Sequence, residues 1–325
     1  MKKFSWLLAL VLVTFFIAGT IQFSVAQDRS PFPNRPIELI VPYSPGGGSG
    51  LTAETMRKIV SDEKLSPQPL VTTYKPGAMG LIGWTYLASK KGTGYTIATA
   101  TAGFNFCVLT KQTELRQEDF TPIAILVEDT QVIVTHPQSP FKTIKDAINS
   151  AKKNPNSVKV GATGAISPDS TVAGMIEYNE KIKFNIIPFM GGGETMTAIL
   201  GGHVDLSVGN PSEMAPHIFA GKLRPLAVFS DKRLADLSNV PTMKEMGYNM
   251  TFMTPRGVLA SAGIPKNQEM FLIGLMKKIT ESKAWAEYAK QTMMTVTFIG
   301  GEDYSKYMRA ERGKLSTILK AMGKI

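Results

Sequence analysis

A chain of 325 residues with 43% hydrophobic and 19% charged residues holds apolar side chain enough for two cores, which excludes a disordered or fibrous polymer. The formal charge of +10 is scattered, with no Lys/Arg run and no nucleic-acid motif, so a small anion is the expected partner and nucleic acid is not. The single cysteine, Cys107, excludes an internal disulfide and reads as a small buried apolar residue.

At the N-terminus, Lys2 and Lys3 precede an apolar run from Trp6 to Ala18, and Ser24-Val25-Ala26 supplies small residues where a signal peptidase reads. The run is shorter than the ~20 residues that a spanning helix needs. Residues 1–26 are therefore expected to be a cleaved secretory signal, leaving a periplasmic protein that starts at Gln27.

After a Pro-rich lead-in, Ile37–Val41 reads as a buried strand between Pro36 and Pro42. A glycine loop, 44–50, and a helix over 51–60 complete a βα unit. The pattern repeats: strand 70–72, glycine loop 75–80, helix from 82, strand 95–99 and loop 101–103. Strands follow at 123–127 and 131–135, then a helix over 143–153. Strand 158–160, loop 161–167, helix 170–178, strand 186–189, glycine loop 191–193 and helix 194–200 come next. Strand 204–208, helix 211–219 and strand 226–229 follow, and 266–322 reads as mostly helical, returning onto the first lobe. This alternation predicts an α/β fold of parallel sheets in two similar lobes. The expected division is 27–133 plus 254–325 for lobe 1 and 134–253 for lobe 2.

In parallel sheets ligands bind beyond the carboxyl ends of the strands, where these glycine loops lie. A glycine loop that opens a helix presents unpaired N–H groups and the positive end of a dipole, and so favours an anion. Gly46 to Ser49, Gly77 to Gly83 and Gly191 to Glu194 all have this form. The first loop has neither the Gly-Lys-Ser/Thr of a phosphate-binding loop nor the dinucleotide Gly-x-Gly-x-x-Gly spacing. No hydrolase elbow, His-Glu-x-x-His or Cys–His arrangement is present, so no enzyme activity, metal or cofactor is expected.

The ordered set Asn34-Arg35-Pro36, Val41-Pro42-Tyr43-Ser44-Pro45-Gly46-Gly47-Gly48, Lys75-Pro76-Gly77-Ala78-Met79-Gly80, Pro188-Phe189-Met190-Gly191-Gly192-Gly193 and Gly221-Lys222-Leu223-Arg224 resembles the tripartite tricarboxylate transporter receptor family, or Bug solute receptors. The resemblance covers essentially the whole mature chain. It implies a two-lobe periplasmic-binding-protein fold, type II-like, with the ligand cleft between the lobes. It also implies a monomer that captures a small organic carboxylate and delivers it to membrane transporter subunits. A carboxylate sensor co-receptor for a membrane signalling protein is the alternative. One carboxylate is expected on backbone N–H groups of the first two glycine loops. The expected ligand residues are Tyr43, Ser44, Gly47, Gly48, Ser49, Ala78, Met79, Gly80 and Thr101 from one lobe and Ser167, Gly191, Gly192 and Asn210 from the other. Arg256, at the second hinge, is a possible bidentate partner for a carboxylate. The chain departs from the family pattern at Gly50, Glu54, Tyr74, Ser170 and Pro255, which leaves ligand identity open.

Overall fold

The computed structural model describes residues 31–325; the expected signal segment 1–26 and its expected cleavage site lie outside them. The first sheet is built on β1 (Ile37–Val41), with β2 (Leu70–Tyr74) and β3 (Thr96–Ala100) parallel on either side. α1 (Gly48–Asp62) and α2 (Leu81–Ala88) supply the crossovers, and α3 (Gly103–Leu109) follows β3. β10 (Met253–Ser261) then pairs antiparallel with β3 and with β4 (Phe120–Thr130), and β11 (Thr295–Gly300) closes the edge antiparallel to β4.

In the second sheet β7 (Asn185–Phe189), β6 (Lys159–Thr163) and β8 (Leu206–Gly209) are parallel. β5 (Val132–Thr135) runs antiparallel between β8 and β9 (Arg224–Val228). Helices α4 (Ile144–Lys153), α5 (Pro168–Glu180), α6 (Gly192–Leu200) and α7 (Pro211–Phe219) belong to this half. The chain crosses between sheets at Gln131 and again just before Met253.

Three expectations need correction. The sheets are mixed rather than parallel, because the strands that carry the chain between them run against their neighbours. The stretch after Thr101 is helix α3, hidden from a periodicity reading because Phe104, Asn105, Phe106 and Cys107 are all buried. The C-terminal segment holds α8 (Lys266–Glu281), α9 (Lys283–Gln291) and α10 (Gly301–Ala321), with edge strand β11 between the last two.

Alternation along β1 sends Ile37, Leu39 and Val41 to one face and Ile40 to the other. The first set packs with Met56 and Ile59 of α1 and Leu272 and Met276 of α8. Ile40 joins Trp84, Phe104 and Met308. The Trp84 indole N–H donates to Thr99 O at 3.1 Å, so this large side chain is buried with its polar group satisfied. In the second half Ile133, Val160 and Val208 pack on Ile148, Val172 and Ile176. Helix α10 spans both halves: Tyr304 and Met308 lie with Ile40, whereas Leu315 and Leu319 join the core around Val172. It thus reaches past the first lobe, on which the sequence reading had placed it.

Candidate functional site

Because β1, β2 and β3 are parallel, the N-terminus of α1, the tight turn Ala78–Gly80 and the start of α3 gather at one edge of the first sheet. The same logic puts the N-termini of α5, α6 and α7 at one edge of the second. The β10–β3 register sets Gly257 opposite Ala100, so Arg256 falls beside the loop that carries Thr101. Asp129 lies near the end of β4 on the adjacent strand.

Tyr43 ties the first-sheet loops together. Its hydroxyl donates to Met79 O at 3.2 Å and shares a 2.9 Å hydrogen bond with Thr101 Oγ1. Burial pushes the phenol up to about 12. Gly77, Ala78, Met79 and Gly80 all have positive φ. For Ala78 and Met79 that conformation is strained, and strain held in an exposed loop concentrates at functional sites. Ser44 is exposed, and Gly47 is the N-cap of α1 with no side-chain cap. Ser49 is buried within the first turn.

On the other side, Gly191 is the N-cap of α6, again without a side-chain cap. Ser167 is buried and caps α5: its Oγ accepts from Ser170 N at 3.2 Å, and Ser170 Oγ accepts from Ser167 N at 2.9 Å. Asn210 is the N-cap residue of α7. With the Gln131 amide turned as its neighbours require, the Gln131 oxygen accepts from Asn210 Nδ2 at 2.9 Å and its nitrogen donates to Asp169 Oδ1 at 3.1 Å. Asp169 also accepts from Thr163 Oγ1 at 2.6 Å and from Thr163 N at 3.1 Å. Burial nevertheless raises its carboxyl to about 7.

Three groups that the sequence reading did not single out, Asp129, Glu213 and Asp169, complete the arrangement, together with Ser212, which the sequence places with Asn210 facing the cleft. Arg256, 6% exposed, donates through Nη2 to Asp129 Oδ2 at 2.6 Å and to Ser212 Oγ at 3.2 Å. Ser212 Oγ in turn donates to Asp129 Oδ2 at 2.8 Å. Burial opposes the charge on Arg256, but the Asp129 and Glu213 carboxylates outweigh it and raise its pKa. The guanidinium lies against the start of α1: a Cβ on Gly48 would sit 2.6 Å from Nη2 and 2.8 Å from Cζ. Glu213 is the third residue of α7 and lies within the field of Arg256. Its Oε2 lies 2.6 Å from the position that a Cβ on Gly192 would take. Water reaches Glu213, yet the surrounding protein, and then Asp129, push its carboxyl upward against the pull of Arg256.

Three of the departures from the family pattern form one unit. The Tyr74 ring lies 3.4 Å from the position of a Gly50 Cβ, and its hydroxyl donates to Glu54 Oε1 at 3.2 Å. Thr72 Oγ1 donates to the same oxygen at 2.7 Å, and Arg57 Nε to Glu54 Oε2 at 2.8 Å. Arg57 first, then Thr72, lowers the Glu54 pKa. A residue larger than alanine at position 50 would crowd Tyr74.

A cavity of about 620 Å³ lies beside the crossing strands, lined by residues that include Glu128, Thr130, Arg233, Lys290 and Met293. None of the expected ligand residues lines it, and it contains no convergent set of helix N-termini. Among the described residues no cluster of three or more His, Cys, Asp or Glu is disposed to hold a metal, and no helix is long and apolar enough to cross a membrane.

Two α/β halves, joined by crossing strands and presenting opposed helix N-termini, define a two-lobe solute-binding protein with its cleft between the lobes. The chain belongs to the tripartite tricarboxylate transporter receptor family, whose model matches residues 53–324. It is 29% identical over 90% of its length, and 89% of the relative's, to a UPF0065 protein of the gbd 5' region of Cupriavidus necator. It is similar to a TctC solute-binding protein from Polaromonas solved without ligand, at 30% identity and TM-score 0.73, over 89% of this chain and 99% of that one. The periplasmic binding protein BugD matches at 26% identity and TM-score 0.80, over 90% and 99% of the two chains. A structure from R. palustris containing adipate shares the fold at 23% identity and TM-score 0.80, over 90% and 98%. Family and fold are those of periplasmic solute-binding receptors and not of enzymes.

Proposed function

We propose that this chain is an extracytoplasmic receptor that captures a small organic carboxylate between its lobes and delivers it to membrane transporter subunits. One observation carries the reading. The N-termini of α1 and α6 are both opened by glycine, neither is capped by a side chain of its own, and the Arg256 guanidinium lies against the first. A helix N-terminus offers fixed N–H donors and a partial positive charge that need no reorganisation to receive an anion. The proposed contacts are the N–H groups of Gly47, Gly48 and Ser49, with Ala78 to Gly80 for the rest of the solute and Gly191 and Gly192 from the opposite lobe. Tyr43 and Thr101 hold the first-lobe loops in place. Ser167 and Asn210, occupied in capping and bridging, shape the second lobe.

The adipate held by the R. palustris protein makes dicarboxylates of four to six carbons the first compounds to test. A thermal-shift screen followed by calorimetry decides the matter. At a ligand concentration 100 times Kd the native state gains about 2.7 kcal/mol, which raises Tm by several degrees. A screen of such acids with no shift and no heat would overturn the carboxylate reading.

A further inference from the structure

The Arg256–Asp129 ion pair belongs wholly to the first sheet: β10 carries the guanidinium, and its antiparallel neighbour β4 carries the carboxylate. Both side chains are buried, and Asp129 Oδ1 and Arg256 Nε have no hydrogen-bond partner. The hydrogen bonds that the pair makes beyond itself run to one hydroxyl, and that hydroxyl stands on the other half of the molecule. Ser212 Oγ, in the first turn of α7, donates to Asp129 Oδ2 at 2.8 Å and accepts from Arg256 Nη2 at 3.2 Å. Together with the 2.6 Å bond from Nη2 to Oδ2, these contacts close a triangle of polar atoms between the lobes. A hydroxyl can donate and accept at a single atom, which the triangle requires. Neither bond serves α7 itself, whose N-cap position belongs to Asn210.

We propose that Ser212 is a positioning residue that couples closure of the lobes to ligand capture: arriving with the second lobe, it completes the hydrogen bonding of Arg256 Nη2 and so fixes Nη1 beside the start of α1. The coupling of the lobes follows from the printed triangle of bonds; the part in capture rests on the carboxylate reading of the cleft. Nη2 carries two N–H groups. One is held by Asp129 and the other by Ser212, and because a guanidinium is planar, holding both sets the direction of Nη1. Nη1 and Nη2 are the two atoms nearest to the place that a Cβ on Gly48 would take, so the fixed plane lies against the first turn of α1. With the lobes apart, Asp129 alone would hold Nη2, and the plane could pivot about that one bond. A solute meets the open cleft before this triangle forms and leaves after it breaks, so Ser212 acts on dissociation and not on encounter.

The test compares wild type with Ser212→Ala, which removes the hydroxyl, and Ser212→Thr, which keeps it. Position 212 is half-buried and its side chain does not cap α7, so both variants should fold, as circular dichroism checks. Small-angle scattering without ligand should give Ser212→Ala a larger radius of gyration than wild type, with Ser212→Thr matching wild type. Stopped-flow kinetics with adipate as the probe should show a dissociation rate about tenfold faster in Ser212→Ala, the order of effect carried by one hydrogen bond to a charged group, and an unchanged association rate. Ser212→Thr should restore the slow dissociation. Equal radii for wild type and Ser212→Ala would overturn the coupling of the lobes. A wild-type dissociation rate in Ser212→Ala, or a loss carried by the association rate, would overturn the part in capture. A defect in Ser212→Thr as large as in Ser212→Ala would overturn the hydrogen-bonding role in favour of packing. If adipate binds none of the proteins, the carboxylate reading fails, and the radii alone decide whether Ser212 couples the lobes.

Discussion

Substituting Gly48 by Ala puts two ordinary effects in opposition. Gly48 is the first residue of α1 and has no positive φ, so Ala is compatible with its backbone. Helix preference alone would raise stability by about 0.5–1 kcal/mol. The new Cβ, however, falls 2.6 Å from Arg256 Nη2 and 2.8 Å from Cζ, well inside contact distance. The end of an exposed arginine would swing aside, but this one is buried and held by Asp129 and Ser212. Separating a buried ion pair leaves an uncompensated charge and costs about 3–5 kcal/mol. The net expectation is a loss of about 2–4 kcal/mol in urea denaturation, with carboxylate binding abolished as well. Gly50→Ala is the control: its Cβ meets Tyr74 at 3.4 Å, an ordinary contact, and the variant should hold or gain stability. If Gly48→Ala proves as stable as Gly50→Ala, the Arg256–Asp129 pair does not depend on a bare backbone at position 48 and the reasoning is wrong. A sequence reading alone expects Gly48→Val to spare the fold and remove only binding; the guanidinium beside Gly48 argues for loss of both.

Asp169 binds its proton up to about pH 7 in the folded protein against 3.8 when unperturbed, because burial disfavours its charge. The native state therefore holds more protons than the unfolded chain in that window, and stability falls as pH rises from about 4 to 7 and then levels off. Asp169→Asn should flatten this decline, gaining on the order of 2 kcal/mol at pH 7.5 relative to pH 4.5, as read by urea midpoints at both values; a parallel decline in the two proteins would count against a protonated Asp169. Tyr43→Phe removes the hydroxyl that joins Met79 and Thr101, and should cost about 1–2 kcal/mol and weaken binding by calorimetry. Arg224, at the start of β9, lies at the sheet edge away from the helix N-termini. Arg224→Ala should leave carboxylate affinity within about twofold, since attraction between exposed charges beyond a screening length of about 8 Å is largely lost.

Local signals placed many elements well. Pro36 and Pro42 bound β1, and the Thr143–Asp146 capping box starts α4 where Thr and Asp are correctly spaced. The start of α1 was harder to read, because it begins at Gly48 inside a loop of glycines and the first apolar residue comes only at Leu51. β11 carries a strand signal in the alternation Thr295-Val296-Thr297-Phe298, but the run is short and lies between helices, so a mostly helical reading of 266–322 passes over it. The glycine loops stood out as anion-binding candidates through residue type alone. The charged groups among them did not. Asp129 meets Arg256 only through the antiparallel register of β4 and β10, across 127 positions of sequence. Glu213 carries a misleading signal: an acid in the first turn of α7 already answers that helix's own dipole, so nothing local reveals that it lies within the field of Arg256 on β10.

The central claim, that a carboxylate is taken up between the glycine-opened helices, is tested most directly by titrating the ¹⁵N-labelled protein with adipate, then with malate, and following backbone amide resonances. The account predicts saturable shifts centred on the amides of Gly48, Ser49, Gly80 and Gly192, with those of Arg224 and its neighbours on β9 unmoved. Saturable binding that leaves these four amides in place and shifts those around the cavity of Glu128, Arg233 and Lys290 would contradict it.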